Sequence, residues 1–299
     1  MQVKIGLETH VQLATKTKLF CSCSIENIGE AEPNTRVCEI CLGFPGSKPV
    51  VNKKAIEFAL KVALALNCKI NKKFFFSRKS YFYPDMAKNF QITQYEIPLA
   101  ENGYLLVGER EIRIKRVHLE EDPARLVHVG KSITQARYTL CDYNRSGVPL
   151  VEIVTEPDLT SPKEAREYLR ALMLILEYLG VCKADEQLMK SDANISIEGG
   201  ERVEIKNITG FREVEHALNF EILRQKNLLK RGLRPERETR MWDPVSKTTK
   251  LLRRKEEEED YGYIFEPDLP SFEINQEEIE RIKNSLPELP QEKLERYIA

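Results

Sequence analysis

Val3-Lys4-Ile5-Gly6-Leu7 opens the chain with the apolar and polar alternation of a strand. Glu8 and His10 follow two apart, so on a strand both side chains project from one face. The next stretch loses periodicity, forms a knuckle and loop, and closes on Gly43-Phe44-Pro45-Gly46 and Lys48-Pro49. Asn52 is placed to cap a helix from Lys53 to Leu66, with Ile56, Leu60, Ala63 and Leu64 on one face. From Ile70 to about Val154 the pattern is strand-like. Phe74-Phe75-Phe76, Tyr104 to Val107, Ile112 to Val117 and Val148 to Val154 are separated by Gly, Pro and Asn, which predicts a largely antiparallel β region.

The clearest helix runs from Pro162 to Leu179. Ser161 caps it, Pro162 takes the first position, Glu164 completes a capping box and Gly180 lies just past the end. Ala165, Leu169, Leu172 and Leu176 form its core-facing stripe. A second long helix is predicted from Val214 to Lys230, with Gly232 beyond it, and Asp192–Ile197 and Val203–Asn207 read as strands between the two. Gln276 to Ser285 and Gln291 to Ala299 are helical in pattern, divided by Pro287 and Pro290. The last segment ends before it could bury a face, so a further domain is expected after it.

Composition narrows the class. The 299 residues are 41% hydrophobic and 31% charged, which suits a folded chain of one large or two ordinary domains. No apolar run approaches the ~20 residues that span a bilayer, and neither a secretory leader nor a transit segment opens the sequence; a cytoplasmic location is expected. A net charge of −1 gives no global basic field, which weakens a simple nucleic-acid-binding reading but leaves local patches open. Abundant Lys and Glu match a thermophile-like bias.

Cys21-x-Cys23, fourteen residues, then Cys38-x-x-Cys41 gives two short thiolate pairs closed by a loop of zinc-ribbon length. One tetrahedral structural Zn²⁺ is the expected occupant; two disulfides or four buried thiols are the alternative. Cys68, Cys141 and Cys182 are scattered and odd in number, as reduced core thiols are. Arg78-Lys79-Ser80-Tyr81-Phe82-Tyr83-Pro84-Asp85, with Lys88 behind it, sets cations beside rigid aromatics and suits a phosphate or a base, or else a solvated strand end. His118-Leu119-Glu120-Glu121-Asp122 crowds three carboxylates beside an imidazole, and a divalent cation is the simplest way to offset that repulsion. With Glu8, His10 and Asp192 there are ligands for one or two Mg²⁺. Asp142-Tyr143-Asn144-Arg145-Ser146-Gly147 is a polar turn that could hold a carboxylate or sugar-phosphate, or simply connect a hairpin. The run from Leu251 to Asp260 reads first as a solvated face. There is no Walker loop and no Rossmann fingerprint. The residues alone stop at a Mg²⁺- and phosphate-handling protein of mixed α and β structure with a structural zinc.

Taken in order, Gly6-Leu7-Glu8-Thr9-His10-Val11-Gln12-Leu13, the four cysteines, the Arg78 to Asp85 run, His118 to Asp122, Asp142 to Arg145, Asp192-Ala193-Asn194, Glu204-Ile205-Lys206-Asn207 and Glu266-Pro267-Asp268-Leu269-Pro270 resemble the B subunits (GatB) of aspartyl/glutamyl-tRNA amidotransferases. The resemblance covers residues 1–275 and implies an α+β fold. Its parts would be a cradle-shaped, largely antiparallel catalytic domain with packed helices, a zinc knuckle at 21–41, and residues 276–299 starting a C-terminal helical domain.

The activity it implies is ATP-dependent phosphorylation of the side-chain carboxylate of Glu-tRNA(Gln) or Asp-tRNA(Asn), followed by amidation with ammonia. The ammonia would come from a glutaminase subunit, GatA, with a small subunit, GatC, completing a heterotrimer. By the same resemblance Glu8, His10, Glu120, Glu121 and Asp192 form the Mg²⁺ shell, Lys79 and Lys88 contact phosphate, and Asn144, Arg145 and Lys206 line the pocket. The run from Arg253 to Asp260 becomes part of a family motif. The sequence departs from the family's usual pattern at Pro123-Ala124-Arg125, at Lys190-Ser191, at Ile208-Thr209-Gly210 and at Tyr261 to Phe265. Two other readings stand beside this one: the related GatE subunit, which amidates Glu-tRNA(Gln) only, and a non-catalytic zinc-containing tRNA-binding module.

Overall fold

The computed structural model describes residues 1–130, 136–183, 189–254 and 261–298. Its frame is a nine-stranded sheet built from β1 (Val3–Gln12), β2 (Lys69–Ile70), β6 (Ala100–Val107), β7 (Arg110–Glu121), β10 (Pro149–Thr155), β11 (Met189–Ile197), β12 (Val203–Thr209), β13 (Glu238–Asp243) and β14 (Thr248–Arg254). The spatial order is β14-β13-β12-β11-β1-β10-β7-β6-β2. Neighbours are antiparallel except β12 and β13. That pair is joined through α3 (Phe211–Lys230), and a helical crossover returns the chain parallel.

Smaller sheets flank this frame. β15 (Ile264–Phe265), β4 (Ser77–Ser80) and β5 (Phe90–Thr93) make a three-stranded side sheet, β3 (Lys73–Phe74) pairs with β16 (Phe272–Glu273), and β8 (Arg125–Val129) with β9 (Tyr138–Asp142). The predicted Phe74 to Phe76 strand is thus broken between β3 and β4. Phe74 stacks on Phe272 and Phe76 packs edge-on against Phe20, so each ring serves the core, not a continuous ladder.

Three helices, α1 (Lys53–Ala65), α2 (Pro162–Leu179) and α3, cover one face of the frame; α4 (Gln276–Asn284) rests on α1 and α5 (Pro290–Ile298) on α2. α2 has the bounds its caps predict. Ser161 accepts from the Glu164 N–H, and Gly180 closes the helix in the left-handed conformation at φ 62°. The Glu164 carboxylate, however, reaches back to the N–H and hydroxyl of Thr160 and not to Ser161, so the predicted box closes one residue earlier. Asn52 caps α1 as expected, but its buried stripe is Ala55, Phe58, Ala59, Leu60, Val62, Ala63 and Ala65, leaving Ile56 and Leu64 half-buried. α3 begins at Phe211, three residues before the predicted start, because Gly210 caps it without a side-chain hydrogen bond that the sequence could signal. The charged run resolves in part: Leu251 to Arg254 end β14, while 255–260 lie outside the described residues.

Ile5, Leu7 and Val11 of β1 join Leu169, Leu172, Val214 and Leu218 in one core cluster. Burial of each large apolar side chain there stabilises by about 1.5–3 kcal/mol. The even-numbered residues of β1 face the other way, and among the described residues no helix covers the sheet on that side.

Candidate functional site

That uncovered face is the floor of a cleft of about 1130 Å³. Strand register sets what lies on it. Glu8 pairs across the ladder with Asp192, His10 with Glu152, Glu152 in turn with His118, and Asn194 with Glu204. A row of acids and imidazoles therefore crosses five strands of the sheet, from β12 through β11, β1 and β10 to β7.

Within the row, ligand atoms of His10, Glu120 and Glu152 lie within 4.8 Å of one another, and those of Glu8, Asp192 and Glu204 do likewise. His10 Nε2 is 3.6 Å from Glu120 and 3.7 Å from Glu152, while His118 Nε2 is 3.0 Å from Glu152. In the second group Lys206 Nζ is 3.0 Å from Asp192 and 2.5 Å from Glu204, Asn194 donates to Glu8 at 2.8 Å, and the Asn207 N–H donates to Asp192 at 2.7 Å. Such oriented oxygen and imidazole donors are the ligand chemistry of a divalent cation.

The electrostatics are strained in a consistent direction. Burial pushes the Glu8 carboxyl above its ordinary range, and Glu152, Asp192 and Glu204 push the same way against Lys206. Burial would favour neutral Lys206, yet Asp192, Glu204 and Glu8 hold its ammonium well above the usual value. Burial also opposes charge on His10 and His118, but Glu152 and Glu120, joined at His10 by Asp192 and Glu8, together outweigh it and raise both; those two imidazoles in turn hold Glu152 well below the carboxylate range against its own burial. A cation at either acid group would relieve repulsion that the protein's own ammonium and imidazole groups now offset.

One wall of the cleft belongs to the side sheet. Lys79 of β4, Gln91 and Thr93 of β5, Gln94, Tyr95, Tyr261 and Tyr263 all line it. Lys79 Nζ lies 4.6 Å over the Tyr261 ring.

Of the site residues expected from sequence, Glu8, His10, Glu120, Asp192, Lys79 and Lys206 meet in this cleft. Four do not. Glu121 follows Glu120 on a strand and so faces the opposite side, where it pairs with Lys88 and accepts from the Ile92 N–H. Lys88 is spent on that ion pair and borders a separate cavity of about 170 Å³ beside Arg78 and Glu266. Asn144 is a structural clasp: its carbonyl oxygen accepts from the Arg36 N–H at 2.8 Å and its amide donates to the Glu32 carbonyl at 2.8 Å. Arg145 donates to the carbonyls of Pro123 and Ala124. Conversely, Glu152 and Glu204 were missed. A lone carboxylate inside the apolar run Val148 to Val154 was the available signal for Glu152, since an unpaired charge is not buried without a partner.

The clasp of Asn144 holds the cysteine knuckle. Ligand atoms of Cys21, Cys23, Cys38 and Cys41 lie within 4.8 Å of one another, close to the ~3.8 Å separation of sulfurs around a tetrahedral zinc. The Cys38 N–H donates to Cys41 Sγ at 3.2 Å. Lys18 is fully buried and donates to Cys41 Sγ at 3.4 Å and to the Tyr143 carbonyl at 3.3 Å. A hydrogen bond from the Cys21 thiol, despite burial, holds Cys41 below the usual thiol range and pushes Cys21 up. A thiolate facing a buried ammonium fits a metal-thiolate cluster; all seven cysteines are free of disulfides.

Among the described residues, no helix is long and apolar enough to cross a membrane. The family model for the GatB/GatE catalytic domain matches residues 3–280. The chain is similar to the B subunit of the aspartyl/glutamyl-tRNA(Asn/Gln) amidotransferase of Saccharolobus solfataricus, at 53% identity over 99% of this chain and 64% of the relative. The proteins of the same name from Methanospirillum hungatei and Thermotoga petrophila are 54% and 51% identical, over 100% and 98% of this chain and 63% of each relative. The chain thus spans under two thirds of the length of these curated relatives. With the matched span including every strand of the sheet and both acid groups of the cleft, the chain belongs to the GatB/GatE catalytic-domain family.

Proposed function

We propose that the cleft is the carboxylate-activating and amidating centre of a tRNA-dependent amidotransferase, acting on Glu-tRNA(Gln), Asp-tRNA(Asn) or both. The observation that carries this reading is the row Glu204, Asp192, Glu8, His10, Glu152 and Glu120 on one open sheet face, beside the ammonium of Lys79. Its relatives, B subunits of aspartyl/glutamyl-tRNA(Asn/Gln) amidotransferases, support it. A carboxylate is a poor electrophile at neutral pH and must be activated. Its oxygen attacks the γ-phosphorus of ATP, and the bond from that phosphorus to the ADP oxygen breaks. Ammonia then attacks the acyl carbon, the bond to the phosphate oxygen breaks, and the surplus nitrogen proton leaves with phosphate or solvent.

Mg²⁺ held by His10, Glu120 and Glu152, or by Glu8, Asp192 and Glu204, would supply charge neutralisation on the polyphosphate. Lys79 contacts phosphate from the wall. Lys206 and Asn194 orient the second carboxylate group, and His118 does so for Glu152. The knuckle holds one structural Zn²⁺. In this reading ammonia comes from a glutaminase partner, GatA, with GatC completing a cytoplasmic heterotrimer.

The test uses the protein at its natural length, assembled with its partners. Glu152→Gln and Glu8→Ala should each cut Mg²⁺- and ATP-dependent amidation by ~100-fold or more, with glutamine hydrolysis still measurable. Near-normal amidation with an unchanged metal requirement in both variants would overturn the assignment. A non-catalytic tRNA-binding module is disfavoured by the acidic floor, which repels phosphates unless cations occupy it. The narrower GatE-like scope is separated by offering Asp-tRNA(Asn) as the only substrate.

A further inference from the structure

Lys18 is fully buried, yet among the described residues its ammonium forms no ion pair with a carboxylate. Its partners are Cys41 Sγ at 3.4 Å and the Tyr143 carbonyl at 3.3 Å. An ammonium taken out of water without a counter-charge is strongly unfavourable. Four thiolates around one Zn²⁺ leave a cluster that is negative overall, and a buried cation against one of the sulfurs offsets that charge.

The same residue joins the knuckle to its surroundings. Its backbone N–H donates to the Cys23 carbonyl at 3.0 Å while its side chain reaches Cys41, so it touches both thiol arms. Gly147 leaves room for it: at φ 87°, a Cβ there would come within 3.4 Å of Lys18 Cδ and 3.6 Å of Cys41 Cβ. The Tyr143 carbonyl also accepts from the Ser146 N–H at 3.1 Å, which closes the turn. From that turn the Gly147 N–H donates to the Asp122 carbonyl at 2.9 Å, and the Asp122 N–H donates to the Val148 carbonyl at 2.9 Å. The Asp122 carboxylate accepts from Gln12 Nε2 at 2.6 Å, and both side chains line the cleft. Sulfur, ammonium, turn and cleft wall are linked in succession.

We propose that Lys18 is a positioning residue that couples metal occupancy of the knuckle to the cleft wall at Asp122. The proposal rests on the reading of the knuckle as a zinc site. With metal bound, the negative cluster holds the ammonium between Cys41 and the Tyr143 carbonyl. With metal removed, the ammonium loses the charged cluster that holds it, and the turn loses the donor that pins it. Occupied and empty knuckles then present Asp122 differently, which is a free-energy link between two separate sites.

The full-length assembled protein, before and after zinc removal by a chelator, tests this. Amide hydrogen exchange in the peptides carrying Asp122 and Gly147 should quicken in wild type when zinc is removed. Lys18→Met, which fills the space without the charge, should weaken zinc about 10- to 100-fold in chelator competition. It should also show the quick exchange while still zinc-loaded, which separates Lys18 from a general loosening of the empty knuckle. With Co²⁺ in place of zinc, the sulfur-to-metal charge-transfer band of Lys18→Met should move to longer wavelength, because the sulfur no longer faces a cation. A packing role alone leaves that band in place. Wild-type zinc affinity with an unmoved Co²⁺ band in Lys18→Met overturns the counter-charge role, and slow exchange in the zinc-loaded variant overturns the coupling through it. Exchange that is blind to zinc in wild type overturns the coupling even where Lys18→Met does not fold. If wild type as purified holds no zinc, the zinc reading fails and the inference with it.

Discussion

Glu120 and Glu121 are adjacent on β7 and serve opposite faces of it. Glu120 lies 3.6 Å from His10 Nε2 in the cleft, whereas Glu121 is buried beneath in an ion pair with Lys88. Both members of that pair are nearly inaccessible, with side-chain exposures of 9% for Lys88 and 3% for Glu121. Glu121→Gln should leave an ammonium buried without its counter-charge and cost about 3–5 kcal/mol, whereas Glu120→Gln removes one charge from a crowd of acids and should cost little. Thermal melts of the two variants side by side decide this; equal melting temperatures would show that the strand parity does not separate their roles.

The cysteine knuckle should carry about one equivalent of zinc per chain as purified. Cys38→Ser should lose most of it and loosen the N-terminal region, since metal binding is coupled to folding. Metal analysis together with limited proteolysis reads both effects. Full zinc retention in the variant, or a disulfide between knuckle cysteines in the wild type, would contradict the site.

Asp158 offers a pH signature away from the cleft. Hydrogen bonds from the Arg113 guanidinium, at 2.6 and 2.8 Å, together with the Arg113 N–H, hold the carboxyl below its ordinary range against the effect of burial. A depressed carboxyl contributes stability that is fully present above its unfolded value of about 3.9 and is lost as pH falls through the lower folded value. Asp158→Asn should therefore lower the melting temperature at pH 7, and the gap to wild type should shrink as pH drops below about 4. A gap that does not change with pH would mean the ion pair is not coupled to folding.

Gly103 lies where β6 passes the end of α1. A Cβ there would meet the Leu66 carbonyl oxygen at 2.4 Å and Cys68 Sγ at 2.3 Å. Backbone cannot yield as a flexible side-chain tip can, so Gly103→Ala should destabilise by about 1–3 kcal/mol. Denaturant melts measure it, and an unchanged midpoint would show that the strand shifts freely.

Much of the frame was legible in the chain. Local chemistry alone placed α2, because Ser161, Pro162 and Gly180 act within a few residues of the ends they define. Period-two alternation put Glu8 and His10 on one face before any partner strand was known. The start of α3 was not legible, since Gly210 offers no side-chain signal. Nor was the division of labour within His118 to Asp122, because a dense run of acids hides which residues alternate inward.

The sequence by itself determined the ends of α2, that four thiols gather in one knuckle and that Glu8 and His10 share a strand face, since these follow from spacing along one segment. Only the tertiary structure decided that Glu152 and Glu204 join the cleft and that Glu121, Lys88 and Asn144 leave it. The physical reason is register: side chains on different strands become neighbours through ladder hydrogen bonds between backbones, and one residue of slip would turn each of them to the opposite face.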